Sequence, residues 1–434
     1  MSAPLMSAPL HPLLNAPPNS LRTNTLPQLL SRMENVLIVQ DLDGVCMELV
    51  LDPLTRQIDP HYVLATQTFD RHFYVLTNGE HTGVRGVNAI VDKAFGDSDR
   101  AQTEGLYLPG LAAGGVQWQD RYGNLDHPGV SEAELSFLTA VPQRIQACLQ
   151  AFVEAHPEAL TAEAATDAIQ ASVLDNMASP TANLNSFHSA LGDLTDLWLE
   201  VQRRMLDLME TLLNEAGEMG FGDSFFLHLA PNLGRDDSGR ELVRWASDTD
   251  SGTTDFQFML RGAVKEAGIL ALLNRYYQQR TGQFPLGDGF TARQAPKEHD
   301  ALLELVRDNF DPTLMPVLVG VGDTVTSSVV QENGTAVVRR GGSDRNFLQL
   351  IQDIGQQFEV ANVVTYIDSS GGELKNRKPI TVDRSNPDQP VASEGPGDPL
   401  DDTEPLRFDL VFAGGYREYV SVFCEAAQQR TKTP

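Results

Sequence analysis

The sequence predicts an α/β protein: a Rossmann-like, doubly wound parallel sheet core with an inserted, mainly helical α+β cap domain. Three observations lead there. Short apolar runs recur, and each stops at a polar, glycine-containing stretch: NVLIVQDLDG from Asn35, HFYVLTNGE from His72, PVLVGVGDTVTSS from Pro316 and NVVTYIDSSGGE from Asn362. Runs of this kind suit strands buried on both faces, in an open parallel sheet whose site lies at the carboxyl ends of its strands. Between the second and third runs the pattern changes to helical periodicity. Finally, 434 residues are too many for one simple core and point to two domains, or to one domain with a large insertion.

In chain order, residues 1–33 read as a flexible leader, with the repeat MSAPL and several prolines, followed by a short helix at Pro27 to Glu34. A first part of the core spans 34–130, an inserted cap 131–258, and a second part of the core 259–434. Within the cap, Leu194, Trp198, Val201, Met205, Leu208 and Leu212 recur every three or four residues and mark one apolar helix face. DSFFLHLAPNLGRDDSGREL reads as a strand, a turn and a helix start. KEAGILALLNRYY, from Lys265, reads as an amphipathic helix. Asp383 to Pro405 reads as a mobile Pro/Asp/Gly loop, and LRFDLVF and REYVSVFCEAAQQR as the last strand and helix.

Composition narrows the function. A formal net charge of −27 repels nucleic acid and anionic membrane, so neither is an expected partner. The same field repels a phosphorylated substrate unless a metal or a basic side chain reverses it locally. Three widely spaced cysteines without a CxxC fit a reducing compartment, which makes the expected location cytoplasmic. The start of the chain has no cationic segment and reads as a poor secretory signal.

The strand ends carry the chemistry. A doubly buried strand cannot hold both Asp41 and Asp43, so the chain must leave the sheet near Gln40, with Gly44 permitting the turn. Two acids so close repel unless one is protonated or a cation joins them, and Mg2+ meets that need. Alone, DLDG is equally an Asp/Gly turn. LTNGE sets Thr77, Asn78 and Gly79 where a hydroxyl and backbone N–H groups can hold phosphate oxygens, though alone it is a hydrogen-bonded turn. GVGDTVTS offers Asp323 as a further carboxylate. Lys265 is a surface charge by default, but here it precedes an apolar helix and follows the inserted domain. Together these residues suggest that Asp41 attacks phosphorus while Asp43 serves as acid and base.

DLDG, LTNGE, RGAVKEAG and GVGDTVTS, in that order, resemble the motifs of the haloacid dehalogenase (HAD) superfamily, with an insertion at the cap position of its sugar phosphatases. The resemblance implies Asp41 as nucleophile and metal ligand. It implies Asp43 as acid/base that binds metal through its backbone carbonyl, Thr77 and Lys265 as phosphate ligands, and Asp323 as the remaining metal ligand. Sugar phosphatases of this type carry a second acid four residues after that aspartate, where this chain has Ser327. Because VVQENGTAVVRR reads as an inserted loop, Asp344 is the candidate for the missing acid, with helix N-cap as its alternative role.

Longer stretches, EGLYLPGLAAGGVQWQDR, APNLGRD, DSGTTDFQFMLRG and GGSDRNFLQLIQ among them, resemble the cyanobacterial glucosylglycerol-phosphate phosphatase family. That resemblance implies hydrolysis of a small phosphorylated glycoside, glucosylglycerol 3-phosphate, in synthesis of a compatible solute for salt tolerance. It also implies a possible association with glucosylglycerol-phosphate synthase. Candidate substrate contacts are Asn78, Gly79, Glu80 and His81 after the second motif, and His228, Asn232, Arg235 and Asp236 in the cap. The alternatives are a phosphatase for trehalose or sucrose phosphate, and a non-catalytic binding module with the same fold.

Overall fold

The computed structural model describes residues 17–431 apart from 51, 231, 237–239, 248–250, 263, 333–334 and 375–376. The chain divides into two compact units. One gathers the residues up to His81, Arg85–Gly129 and those from 263 onward; the other comprises Thr82–Val84 and Val130–Gly262.

The first unit is built on a sheet of eight strands, in the order Leu410–Phe412, Val363–Ile367, Val317–Gly322, Val36–Gln40, Phe73–Leu76, Gly110–Ala112, Gln117–Gln119 and Leu125–Asp126. Neighbours are parallel as far as Gly110–Ala112, and the remaining two strands turn back antiparallel. Side chains alternate across the pleat. Val36, Ile38, Phe73 and Val75 face one apolar layer, and Leu37, Val39, Tyr74 and Leu76 the other. Helices Thr25–Arg32, Pro60–Gln67, Val87–Phe95 and Gly415–Thr431 supply the first layer. Phe423 is its hub, with ring contacts to Tyr62, Phe69, Phe73 and Tyr419. Helices Lys265–Thr281, His299–Asn309 and Arg345–Phe358 supply the second. Helices cover both faces of the parallel part of the sheet, which is why its central strands are largely apolar rather than alternating in sequence.

Several expectations are corrected here. The leader expected over 1–33 lies outside the described residues only up to 16. Beyond that, Ser20 pairs with Leu410 and Val391, and Leu26, Leu29 and Leu30 of the Thr25–Arg32 helix are buried. The Lys265–Thr281 helix is not amphipathic in its first half: Ala267 to Leu273 are all buried, because the helix is covered by neighbours on the side away from the sheet. The Asp383 to Pro405 stretch is tied down. Strands Thr381–Asp383 and Val391–Glu394 pair, Asp398 accepts the Val329 N–H at 2.9 Å, and Asp401 and Glu404 hold Arg340 and Arg345.

The second unit combines helices Glu132–Ala155, Ala162–Ser172, Asn185–Leu191 and Thr195–Glu218 with a sheet in the order Val173–Leu174, Thr181–Asn183, Asp255–Leu260, Phe225–Ala230. A capping box between Ser131 and Glu134 starts its first long helix. In Thr195–Glu218 the buried face is Trp198, Val201, Met205, Met209 and Leu212; Met209 takes the place expected for Leu208, and Leu194 is exposed before the helix begins. Among the described residues no helix lies between the Phe225–Ala230 and Asp255–Leu260 strands; Asn232–Arg235 and Glu241–Val243 form a ribbon instead. The expected boundary at 258 falls inside the Asp255–Leu260 strand, which pairs along its whole length with Phe225–Ala230.

One glycine couples the fold to the loop after Leu76. Gly110 pairs with Val75 at φ +139°, and a Cβ there would lie 2.2 Å from the Val75 carbonyl oxygen. We expect Gly110→Ala to cost about 2–4 kcal/mol of unfolding free energy. Urea denaturation checks this, and an unchanged midpoint contradicts it.

Candidate active site

The strand Val36–Gln40 is buried along its length, so polar chemistry begins where it leaves the sheet. Gln40 ends it inside a polar cluster, its Oε1 accepting from the hydroxyls of Tyr62 at 2.7 Å and Tyr419 at 2.8 Å. Asp41 still follows the ladder, donating its N–H to Val321 O at 3.0 Å. The chain then turns at Gly44, φ +77°, where a Cβ would lie 2.3 Å from Asp323 Oδ2. A side chain at position 44 would thus occupy the space that Asp323 needs.

Lys265 joins the segments. Its Nζ lies 2.8 Å from Asp41 Oδ2 and 2.7 Å from Asp344 Oδ1. The other Asp344 oxygen accepts the N–H groups of Asp323 and Thr324, both at 2.9 Å. Asp344 stands at the N-cap position of the Arg345–Phe358 helix but makes no capping bond. Its carboxylate serves the strand-end loop instead. The stretch between Asp323 and Asp344 is a hairpin, Thr326–Glu332 against Thr335–Gly341. This hairpin is what separates Asp344 from the fourth motif in sequence.

All four charged groups are buried: Asp41 is 6% exposed, Lys265 3%, Asp323 1% and Asp344 0%. Lys265 contacts two of the three carboxylates, and Arg377 Nε lies 3.9 Å from Oδ2 of the third, Asp323. Burial drives the Asp41 carboxyl up to about 7 against the pull of Lys265. It drives Asp323 well above the usual carboxylate range, with Asp344 and Asp41 adding to the effect. Asp344 feels the same burial, but Lys265 and two backbone N–H groups outweigh it and hold its carboxyl low. Asp41, Asp323 and Asp344 each offer an oxygen, all within 4.8 Å of one another. Asp323 Oδ2 is buried without a hydrogen-bond partner. A buried carboxylate oxygen that takes no hydrogen bond, in a cluster of three acids, fits a hard divalent cation.

The other expected residues divide. Thr77 ends the neighbouring strand, 2% exposed, and its Oγ1 accepts the Gly79 N–H at 3.3 Å. The Gly110–Gln119 hairpin braces this loop, with Ala113 N donating to Gly79 O at 2.6 Å and Gly114 N to Thr77 O at 3.0 Å. Asn78 is exposed at its tip. Glu80 is buried beside Gln117, 3.5 Å away. His81, expected to touch substrate, is fully buried instead; its Nε2 meets Gly110 O at 3.1 Å and its backbone N–H donates to Gln117 Oε1 at 2.6 Å. Asp43 is partly exposed and paired with Arg56, which sequence reasoning missed. In the second unit, His228 Nδ1 lies 2.9 Å from Glu241 Oε2 and is half-exposed rather than a core histidine. Asp236 accepts the Arg240 N–H at 3.0 Å, and the backbone of Asn232 and Arg235 pairs with Val243 and Glu241.

Comparison with known proteins adds to this geometry. The family model for glucosylglycerol-phosphate phosphatase matches residues 35–427. The glucosylglycerol-phosphate phosphatase of Synechocystis sp. is 58% identical over 403 residues, covering 93% of this chain and 95% of that one. Among solved structures, the C-terminal domain of C. albicans trehalose-6-phosphate phosphatase is similar at 11% identity and TM-score 0.41, over 95% of this chain and 99% of that one. The C-terminal domain of the Candida albicans trehalose synthase regulatory protein gives 11% identity and TM-score 0.36, over 83% and 93%.

Two predictions follow from the charges. Lys265→Met leaves two buried carboxylates facing each other and should destabilise the metal-free protein by about 3–5 kcal/mol, with millimolar Mg2+ restoring more stability than it adds to the wild type. Equal metal-free stability in urea contradicts this. His81 is pushed down to about 4 by burial, against an ordinary 6.5. Its contribution to stability is therefore full above pH 6.5 and is lost as pH falls through 4, by at most roughly 3 kcal/mol. An NMR titration should find this imidazole neutral at pH 5 in the folded chain; a midpoint near 6.5 contradicts it.

Proposed function

Because the chain belongs to the glucosylglycerol-phosphate phosphatase family, we propose that it hydrolyses glucosylglycerol 3-phosphate to glucosylglycerol and inorganic phosphate. The reaction runs through an aspartyl-phosphate on Asp41 and uses Mg2+. The observation that carries this reading is the buried Asp41–Lys265–Asp344 chain, with the Asp323 oxygen that takes no hydrogen bond, at the carboxyl edge of the sheet.

Asp41 is held for attack: Lys265 binds its Oδ2, and the Leu42 N–H donates to its Oδ1 at 2.8 Å. As the bond from Asp41 to phosphorus forms, the bond from phosphorus to the glycerol oxygen breaks, and Asp43 gives its proton to the departing alkoxide. Asp43, now a carboxylate, takes a proton from the water that attacks the same phosphorus. The Asp41–phosphorus bond then breaks and phosphate leaves. Lys265, the Thr77 hydroxyl and the Asn78 N–H are the proposed partners of the phosphoryl oxygens and offset their charge, with the Gly79 N–H joining them once released from Thr77 Oγ1. Asp41, Asp323 and the Asp43 carbonyl would hold Mg2+, which would supply further positive charge beside the transferring group. Asp344 already takes three donors and acts as the anchor of Lys265 and of the Asp323 loop.

Glu80 is the proposed partner of the glycoside hydroxyls in the first unit, and His81 is withdrawn from that set; the expected contacts His228, Asn232, Arg235 and Asp236 belong to the second unit, and the side chains of Asn232 and Arg235 lie outside the described residues. A synthase joining glucose to glycerol 3-phosphate is the proposed source of substrate and a candidate partner. Among the described residues no helix is long and apolar enough to cross a membrane, and with three free cysteines the proposed location is the cytoplasm.

Phosphate release from glucosylglycerol 3-phosphate, compared with trehalose and sucrose phosphates, tests the reading. The glycoside phosphate should be preferred, EDTA should abolish turnover with Mg2+ restoring it, and Asp41→Asn should lose activity by orders of magnitude. A preference for either disaccharide phosphate overturns the substrate, and full activity in Asp41→Asn overturns the covalent mechanism.

A further inference from the structure

We propose that Arg56 is the positioning residue for the Asp43 side chain, fixing its carboxyl group in the orientation needed to give a proton to the leaving alcohol and, once ionised, to take one from the attacking water. The inference rests on Asp43 being the acid/base, as read above.

Asp43 lies on the turn beyond the strand, where the sheet no longer constrains its side chain. Among the described residues Arg56 is the side chain that binds it. Arg56 Nη1 donates to Asp43 Oδ2 at 3.0 Å and to Oδ1 at 3.3 Å. The guanidinium is itself fixed before it reaches the carboxylate. Its Nε donates to Pro53 O at 3.1 Å, one short turn upstream, and its Nη2 donates to Arg85 O at 2.7 Å, from a separate segment. The turn that carries it, Pro53–Thr55, is capped by Asp52, which accepts the Leu54 N–H at 2.9 Å.

An ordinary surface ion pair holds two free side chains to each other and contributes little. Here one partner is clamped to main chain on two sides and is only 12% exposed in its side chain, while Asp43 is 33% exposed. The rigid fork of an arginine suits this task. A lysine has a single charged tip and cannot bind two carbonyls and a carboxylate in one plane. The arrangement leaves Asp43 open on one side and oriented on the other. Asp41 is fixed by other groups, Lys265 and the Leu42 N–H. Arg56 therefore bears on the proton-transfer partner and not on the nucleophile.

The test uses the full chain as Arg56→Gln and Arg56→Lys, with Asp43→Asn as reference, on glucosylglycerol 3-phosphate and on p-nitrophenyl phosphate. The glycerol alkoxide needs a proton as it leaves; p-nitrophenolate does not. Arg56→Gln should lower kcat on the glycoside phosphate about 10- to 100-fold, with KM within about threefold. The first-turnover burst of p-nitrophenolate, which reports Asp41 attack alone, should keep its wild-type rate. Arg56→Lys should recover part of kcat, and it carries the test if thermal unfolding shows Arg56→Gln to be misfolded. The proposal is overturned if kcat on the glycoside phosphate is unchanged, if KM rises instead, or if the burst slows in parallel. If Asp43→Asn keeps full turnover, the failure lies in the acid/base reading and not in Arg56.

Discussion

The site depends on one buried ammonium. Lys265 lies between Asp41 and Asp344 with both partners within ordinary hydrogen-bond distance, and all three are almost wholly removed from water. Stripping water from these charges is costly, so the arrangement holds only because each charge meets its opposite and the remaining lone pairs find donors. Asp344 shows how complete that matching is. One of its oxygens takes the lysine and the other takes two backbone N–H groups from the loop that carries Asp323. The lysine is thereby linked, through one carboxylate, to the segment that presents the third acid. Matching is loosest at Asp323 Oδ2, which takes no hydrogen bond and meets Arg377 Nε only at 3.9 Å.

The sheet order is what brings these groups to one place. Val36–Gln40 is central, flanked by Val317–Gly322 and Phe73–Leu76. The three strands are parallel and about 4.8 Å apart, so their carboxyl ends deliver Asp41, Asp323 and Thr77 side by side despite their distance in sequence. The Lys265–Thr281 helix crosses the face of the same strands, close enough that a Cβ on Gly268 would meet the Leu76 side chain at 2.6 Å. Its first residue therefore arrives at the edge where the acids emerge.

How much of this was legible depended on whether a residue's role was local. Asp41, Thr77 and Asp323 each follow an apolar run that stops, and the stop itself signals the strand end. Asp344 could be located only by seeing that a hairpin had been spliced in ahead of its helix. Arg56 gave no such signal: it lies in LDPLTRQIDP, without periodicity, and its meaning comes from contacts to Asp43 and Arg85 that spacing does not reveal. His81 was misjudged because it adjoins a motif; the chain turns inward there, and the ring meets the Gly110 carbonyl. The stretch after Asp383 looked loose from its prolines and glycines, whereas its acids are bound to Arg340 and Arg345 of distant elements.

The depth of the lysine bridge has a consequence for how the protein meets changing ionic strength. Mobile ions weaken charge pairs that solvent can reach, over a Debye length of about 8 Å at physiological concentration and about 3 Å at 1 M. The many acidic groups on the outside, in a chain of net charge −27, are open to that shielding. The bridge from Asp41 to Asp344 is not, since counterions cannot enter the space between groups at most 9% exposed in their side chains. As the medium grows more concentrated, long-range repulsion between the molecule and an anionic ligand fades, while the buried contacts of Lys265 with Asp41 and Asp344 are weakened far less.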